Sequence, residues 1–122
     1  MTANRMERIN AYLQEILTTA IRKIKDPRLS PMLTVNEVRT AKDLSLAKVY
    51  VSFEADRKER EDSLAALDRA RGFLKRDITP LLATKTIPDL LFIWDSTIET
   101  GTRIGLIIDR LSKERDGKPP VR

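Results

Sequence analysis

Four basic side chains fall within eight residues of one another: Arg69, Arg71, Lys75 and Arg76. Guanidinium and ammonium groups so close together suit contacts to phosphates on successive nucleotides, with release of condensed counterions. Ala70 and Gly72 sit among them, small residues that mark a structural bend rather than ligands. Asp68 and Asp77 flank the group, so its competing reading is a solvated helix face with paired charges. Arg28, held between Pro27 and Pro31, forms a second rank of candidates with Lys42, Lys48 and Lys85. Tyr50 shares a strand side with Lys48. It offers a ring for stacking on a base, although a strand tyrosine is more often half-buried packing.

Catalytic chemistry has little to stand on. The chain has no cysteine and no histidine, which removes disulfides, thiol catalysis, the commonest general base and the commonest metal ligands. Asp95 and Glu99 are the best-spaced carboxylates, but Asp95-Ser96 reads better as a cap on the next turn. The expectation is no enzyme, no metal, no cofactor and no small-molecule substrate. Lys and Arg number 23 against 18 Asp and Glu, a formal charge of +5, which suits a polyanionic partner. No apolar run reaches membrane-span length, and the first residues lack a secretory apolar core. These features point to a cytoplasmic protein.

The elements that must carry these groups follow from periodicity. Ile9, Tyr12, Leu13, Ile16, Leu17, Ala20, Ile21 and Ile24 form a helical stripe. Asn4 and Glu7 make a capping box at its start, and Pro27 predicts its end near Lys25. A strand is expected over 33–39, and Val35 and Val38 can share a face only through a bulge. Ala47, Val49, Val51 and Phe53 alternate with Lys48, Tyr50 and Ser52 in a second, antiparallel strand. Two helical pieces follow, 60–71 and 73–83, broken at Gly72 and disturbed by Pro80. The run from Leu90 to Trp94 reads as a strand covered on both faces or lying centrally, with Trp94 in the core. A weaker helix is expected over 99–114. The domain is expected to span 1–111, with 112–122 a flexible basic tail.

This order gives an α+β domain, a three-stranded sheet packed by helices on one side. Motifs in sequence order narrow it further. Asp26-Pro27-Arg28-Leu29, Val35-Asn36-Glu37-Val38, Lys42-Asp43-Leu44 and Ala47-Lys48-Val49-Tyr50-Val51-Ser52 come first. Ala70-Arg71-Gly72-Phe73-Leu74-Lys75-Arg76, Pro88-Asp89-Leu90-Leu91-Phe92, Asp95-Ser96 and Gly101-Thr102-Arg103-Ile104 follow. Together they resemble the ribosome-binding factor A family of bacteria. The resemblance implies a type II KH-like fold in which an Ala-x-Gly bend at Ala70-Arg71-Gly72 replaces the usual GXXG loop. It implies a monomer that binds the 30S subunit or its precursor and 16S rRNA. It further implies a role in 16S 5′-end maturation and cold adaptation, without catalysis. Two departures stand out. Pro80 falls within the second helical piece, and Lys85 stands where Arg is expected, keeping charge but losing the planar fork. Two other functions fit the residues: a generic KH-type single-stranded RNA binder, and a protein–protein adaptor that exposes the first helix's apolar stripe.

Overall fold

The computed structural model describes residues 4–97. The predicted helix at 99–114, the tail, and Glu99 lie outside the described residues.

The first helix, α1 (Arg5–Ile21), starts on the expected capping box: Asn4 accepts from the Glu7 amide, and Glu7 accepts from the Asn4 amide. It ends at Ile21, earlier than the predicted Lys25, because the chain tightens into i→i−3 turns at Lys23 and Ile24 before Pro27. Leu13, Ile16, Leu17, Ala20 and Ile21 are buried against the sheet. That burial removes the adaptor reading, which requires the stripe to be exposed. Tyr12 departs from the stripe: it is 41% exposed, and its hydroxyl donates to the Leu81 carbonyl at 3.0 Å.

Strands β1 (Thr34–Thr40) and β2 (Leu46–Ser52) pair antiparallel, with the predicted bulge between Val35 and Glu37. The extra residue is Asn36, and the loosened ladder is satisfied from elsewhere. Gln14 of α1 donates to the carbonyls of Val35 and Asn36, and the Asn36 amide donates to Ser52 Oγ at 2.8 Å and Asp95 at 3.1 Å. Val35 and Val38 thereby both reach the core.

Helix α2 (Arg57–Arg69) opens on a second capping box, Asp56 with Glu59. Helix α3 (Arg71–Ile78) follows, then a 3-10 turn, Thr79–Leu81, that accommodates Pro80 and shortens the predicted second piece. Strand β3 (Asp89–Trp94) pairs parallel with β2, giving the order β1-β2-β3. It is therefore an edge strand buried on both faces, whereas β2 is central. The main core joins α1, α2 and α3 to one sheet face through Val49, Leu67, Leu74, Ile78, Phe92 and Trp94. The other face carries a smaller buried cluster of Leu46, Tyr50, Leu91 and Ile93.

Candidate nucleic-acid interface

The bend is made by Ala70, not by Gly72. Ala70 has φ −88° and ψ 3°, in the bridge region, while its amide still bonds Ala66 and Leu67 and its carbonyl accepts from Leu74. Gly72 lies inside α3, so the predicted break is displaced by two residues. Packing decides the position: Leu67 before the bend and Leu74 and Ile78 after it are fully buried in one core. Two straight segments reach that core only if the axis turns between them, and Ala70 is small enough to sit half-buried at the corner.

Arg71, expected to lead the phosphate contacts, is half-buried and turned inward. Its guanidinium donates toward the carbonyls of Asp68 (3.4 Å) and Leu90 (3.5 Å), tying the start of α3 to β3. Lys75 pairs with Asp89 at 2.6 Å, a second tie to β3. Arg76 is exposed and crosses over Gly72, where an added Cβ would meet its Nη1 at 3.4 Å. Arg69 is exposed and pairs with Asp26 at 3.0 Å, and Arg28 pairs with the same carboxylate at 3.4 Å. The amide of Arg28 and then the Arg69 guanidinium bond this carboxylate, lowering its pKa to about 2.

Arg69, Gly72, Phe73 and Arg76 recur at helical spacing and present one outward surface across the bend. Phe73 is 37% exposed, one of four large apolar side chains exposed among the described residues. An exposed aromatic ring on the same helical surface as Arg69 and Arg76 offers a stacking platform beside phosphate ligands. Phe73 stands in the sequence only as part of the Ala70–Arg76 motif; its place off the apolar face of Leu67, Leu74 and Ile78 is the signal that could have found it. Sequence reading missed Arg22, Lys23 and Lys25 at the end of α1. Lys23 pairs with Asp77 of α3 at 3.1 Å, which brings that basic run beside the bend. The signal was present as three cations immediately before Asp26-Pro27-Arg28.

The remaining candidates scatter. Lys42 lies exposed in the β1–β2 turn and Lys85 in the loop before β3. Lys48 leaves β2 on the side away from the three helices, half-buried. Tyr50 is only 5% exposed, with Arg39 over its ring at 5.8 Å, so it packs and does not stack on a base. Trp94 is core, edge-on to Phe53 and covered by Arg60 at 4.9 Å. Asp95 is buried and holds Asn36 and Thr97, a structural bond between β1 and the end of β3. Among the described residues no acidic cluster is arranged to hold a metal ion, and no helix is long and apolar enough to cross a membrane.

One helix, two antiparallel strands, a bent helix pair and a third strand parallel to the second define a KH-like α+β domain, with a basic bend in place of a glycine loop. The family model "Ribosome-binding factor A" matches residues 5–108. A ribosome-binding factor A of Dehalococcoides mccartyi is 35% identical over 93% of this chain and 97% of its own length. The crystal structure of the Thermus thermophilus factor superposes with a TM-score of 0.66 at 32% identity, over 74% of this chain and 96% of that one. A homology model of the Thermus thermophilus factor, fitted into the cryo-EM map of its complex with 30S, superposes at 0.60 with 34% identity, over 71% and 92%. This chain belongs to the ribosome-binding factor A family.

Proposed function

We propose that this protein is a ribosome assembly factor that binds the 30S subunit or its precursor and assists maturation of 16S rRNA. Its similarity to the Thermus thermophilus factor placed in a 30S complex carries this reading. The outward bend surface supplies the chemistry: Arg69 and Arg76 for phosphates, Phe73 for a base, with Arg22, Lys25 and Arg28 nearby. The action is binding alone, by one cytoplasmic copy, at the 5′-end region of the rRNA and in the cold. Residues 1–111 form the binding unit, and the basic residues of 112–122 add nonspecific attraction.

Sedimentation with purified subunits tests the reading. Co-migration with 30S at low salt is expected, and its absence would sink the proposal. With about six phosphates neutralised on single-stranded RNA, log affinity falls against log salt with a slope of about −4. Replacing Phe73 and Arg76 together with Ala weakens binding; Arg76 is exposed, so Arg76→Ala alone leaves the thermal transition in place, while the Phe73 ring, 37% exposed, also carries some packing. Unchanged affinity would move the interface away from the bend.

A further inference from the structure

A second site lies between the end of α1 and the proline loop. These two segments and the start of β1 enclose a pocket of about 300 Å³. That size stands at the lower end of the roughly 300–1,000 Å³ of ligand pockets, so it suits a single flat group better than a cofactor. Its walls are aliphatic: Ile21, Ile24, Leu29, Leu33 and Val35, with the ring of Pro31. Arg22 also lines it, and no acidic residue does.

The loop side of the pocket is fixed in place. Ser63 of α2, only 1% exposed, accepts from the Ser30 amide at 3.2 Å and donates to the Arg28 carbonyl at 3.3 Å. Two tight turns, Asp26 to Leu29 and Ser30 to Leu33, close the same segment. A wall held this way needs little ordering when a ligand enters. The charges are sorted as well. Arg22 and Lys25 are exposed, and neither has a carboxylate partner among the described residues. The acids beside them are engaged, Asp26 by Arg28 and Arg69, Asp77 by Lys23. Asp26 opens the loop that walls the pocket and holds Arg69 of the bend, so the two surfaces share one loop.

We propose that this pocket takes one unstacked base of the RNA strand bound at the bend, packed against Pro31 and the aliphatic walls, while Arg22 and Lys25 hold the adjoining phosphates. Cations without partners and a lining without acids select a polyanion, and apolar walls accept the face of any base. An apolar protein side chain would fill the same walls and leave both cations unused. The hydroxyls of Thr18 and Ser30 already hold bonds within the protein, to the Gln14 carbonyl and from the Met32 amide, so little is left to read a base edge. The proposal rests on the RNA-binding reading above and adds a contact that the bend does not supply.

The test uses the full chain, a single-stranded RNA hexamer, and a ribose-phosphate hexamer that carries no bases. The RNA shifts the methyl resonances of Leu29, Leu33 and Val35, and the abasic chain leaves them in place. Thr18→Leu fills the pocket from α1 with a better helix former. It lowers RNA affinity roughly tenfold with the salt slope unchanged. The double variant Arg22→Gln, Lys25→Gln alters two exposed side chains and so keeps its fold. It flattens the slope by about 1.4, two phosphates at 0.7 each on single strands. Methyl shifts with the abasic chain, native affinity in Thr18→Leu, or a native slope in the double variant overturns the site. Met32 is 73% exposed between Pro31 and Leu33. A benzophenone photocrosslinker in its place should reach rRNA in the 30S complex, and a crosslink only to a ribosomal protein overturns the site as well. Native protein that co-sediments with 30S while these readouts stay silent removes the pocket alone. Failure to co-sediment removes the underlying reading.

Discussion

The bend and the start of α2 handle positive charge in different ways. Around the bend most cations already have partners within the protein: Arg28 and Arg69 share Asp26, Lys23 meets Asp77, Lys75 meets Asp89, and Arg71 faces two carbonyls. At the start of α2, Arg57 and Lys58 pair with Glu61 and Asp62, one turn along the same helix. A dense run of Lys and Arg in sequence is thus a poor guide to which cations a ligand can recruit. Arg71, in the middle of the densest run, is a tie between helix and sheet, while Arg76, five residues on, faces outward.

The comparison breaks most severely if the core under the bend is removed. Leu74 is fully buried, and Leu74→Ala is expected to cost about 2–5 kcal/mol, read as a lower urea midpoint. RNA binding through the bend should fall with it. A small stability loss would mean that the bend is held by its ion pairs rather than by packing.

Next in size is the release of the bend's own charges. Asp26→Asn frees Arg28 and Arg69, so affinity for a polyanion should rise in a filter-binding assay while stability falls. Unchanged affinity would show that these two cations are not part of the interface. The pH dependence has a definite sign. Asp26 titrates lower in the folded chain, at about 2, than its ordinary value of 3.8. Its contribution is complete above that ordinary value and disappears as pH falls toward 2. Acid titration of Asp26→Asn should lack this component.

Gly72→Ala separates the residue that looks like the hinge from the one that is. Gly72 is exposed within α3, and its added Cβ meets only the tip of the flexible Arg76 side chain. Stability should rise by about 0.5–1 kcal/mol, seen as a higher melting temperature with RNA binding retained. A loss of stability would return the hinge to Gly72.

These outcomes also show where sequence was informative. Both capping boxes and the β1 bulge are local: Asn4-Glu7, Asp56-Glu59, and two valines three apart in a strand each force one geometry. The first box and the bulge are legible directly, and the second box, Asp56 with Glu59, is just as local although it lies ahead of the helical piece expected from 60. The bend was legible within Ala70-Gly72; that its corner is Ala70 and not Gly72 was not, because glycine advertises freedom and says nothing about where packing needs the axis to turn. Arg71 to Leu90, Lys75 to Asp89 and Arg69 to Asp26 are contacts across 14 to 43 residues, invisible to any local pattern. Nor was the backbone of Leu44 legible: it holds φ 64° at the third residue of Lys42-Asp43-Leu44, where glycine is favoured.

That leucine supplies the smallest expected effect. Leu44→Gly removes left-handed strain of about 1–2 kcal/mol. Against this stand roughly 0.5–1 kcal/mol of extra chain entropy lost on folding and the contacts of a half-buried side chain. The terms nearly cancel, so the urea midpoint should barely move. Binding at the bend, read with Phe73 and Arg76 intact, should persist, because Leu44 lies in the β1–β2 turn. A clear loss of stability would make Leu44 a packing residue whose backbone is incidental, whereas a steady midpoint would mean that its strain and its packing offset one another.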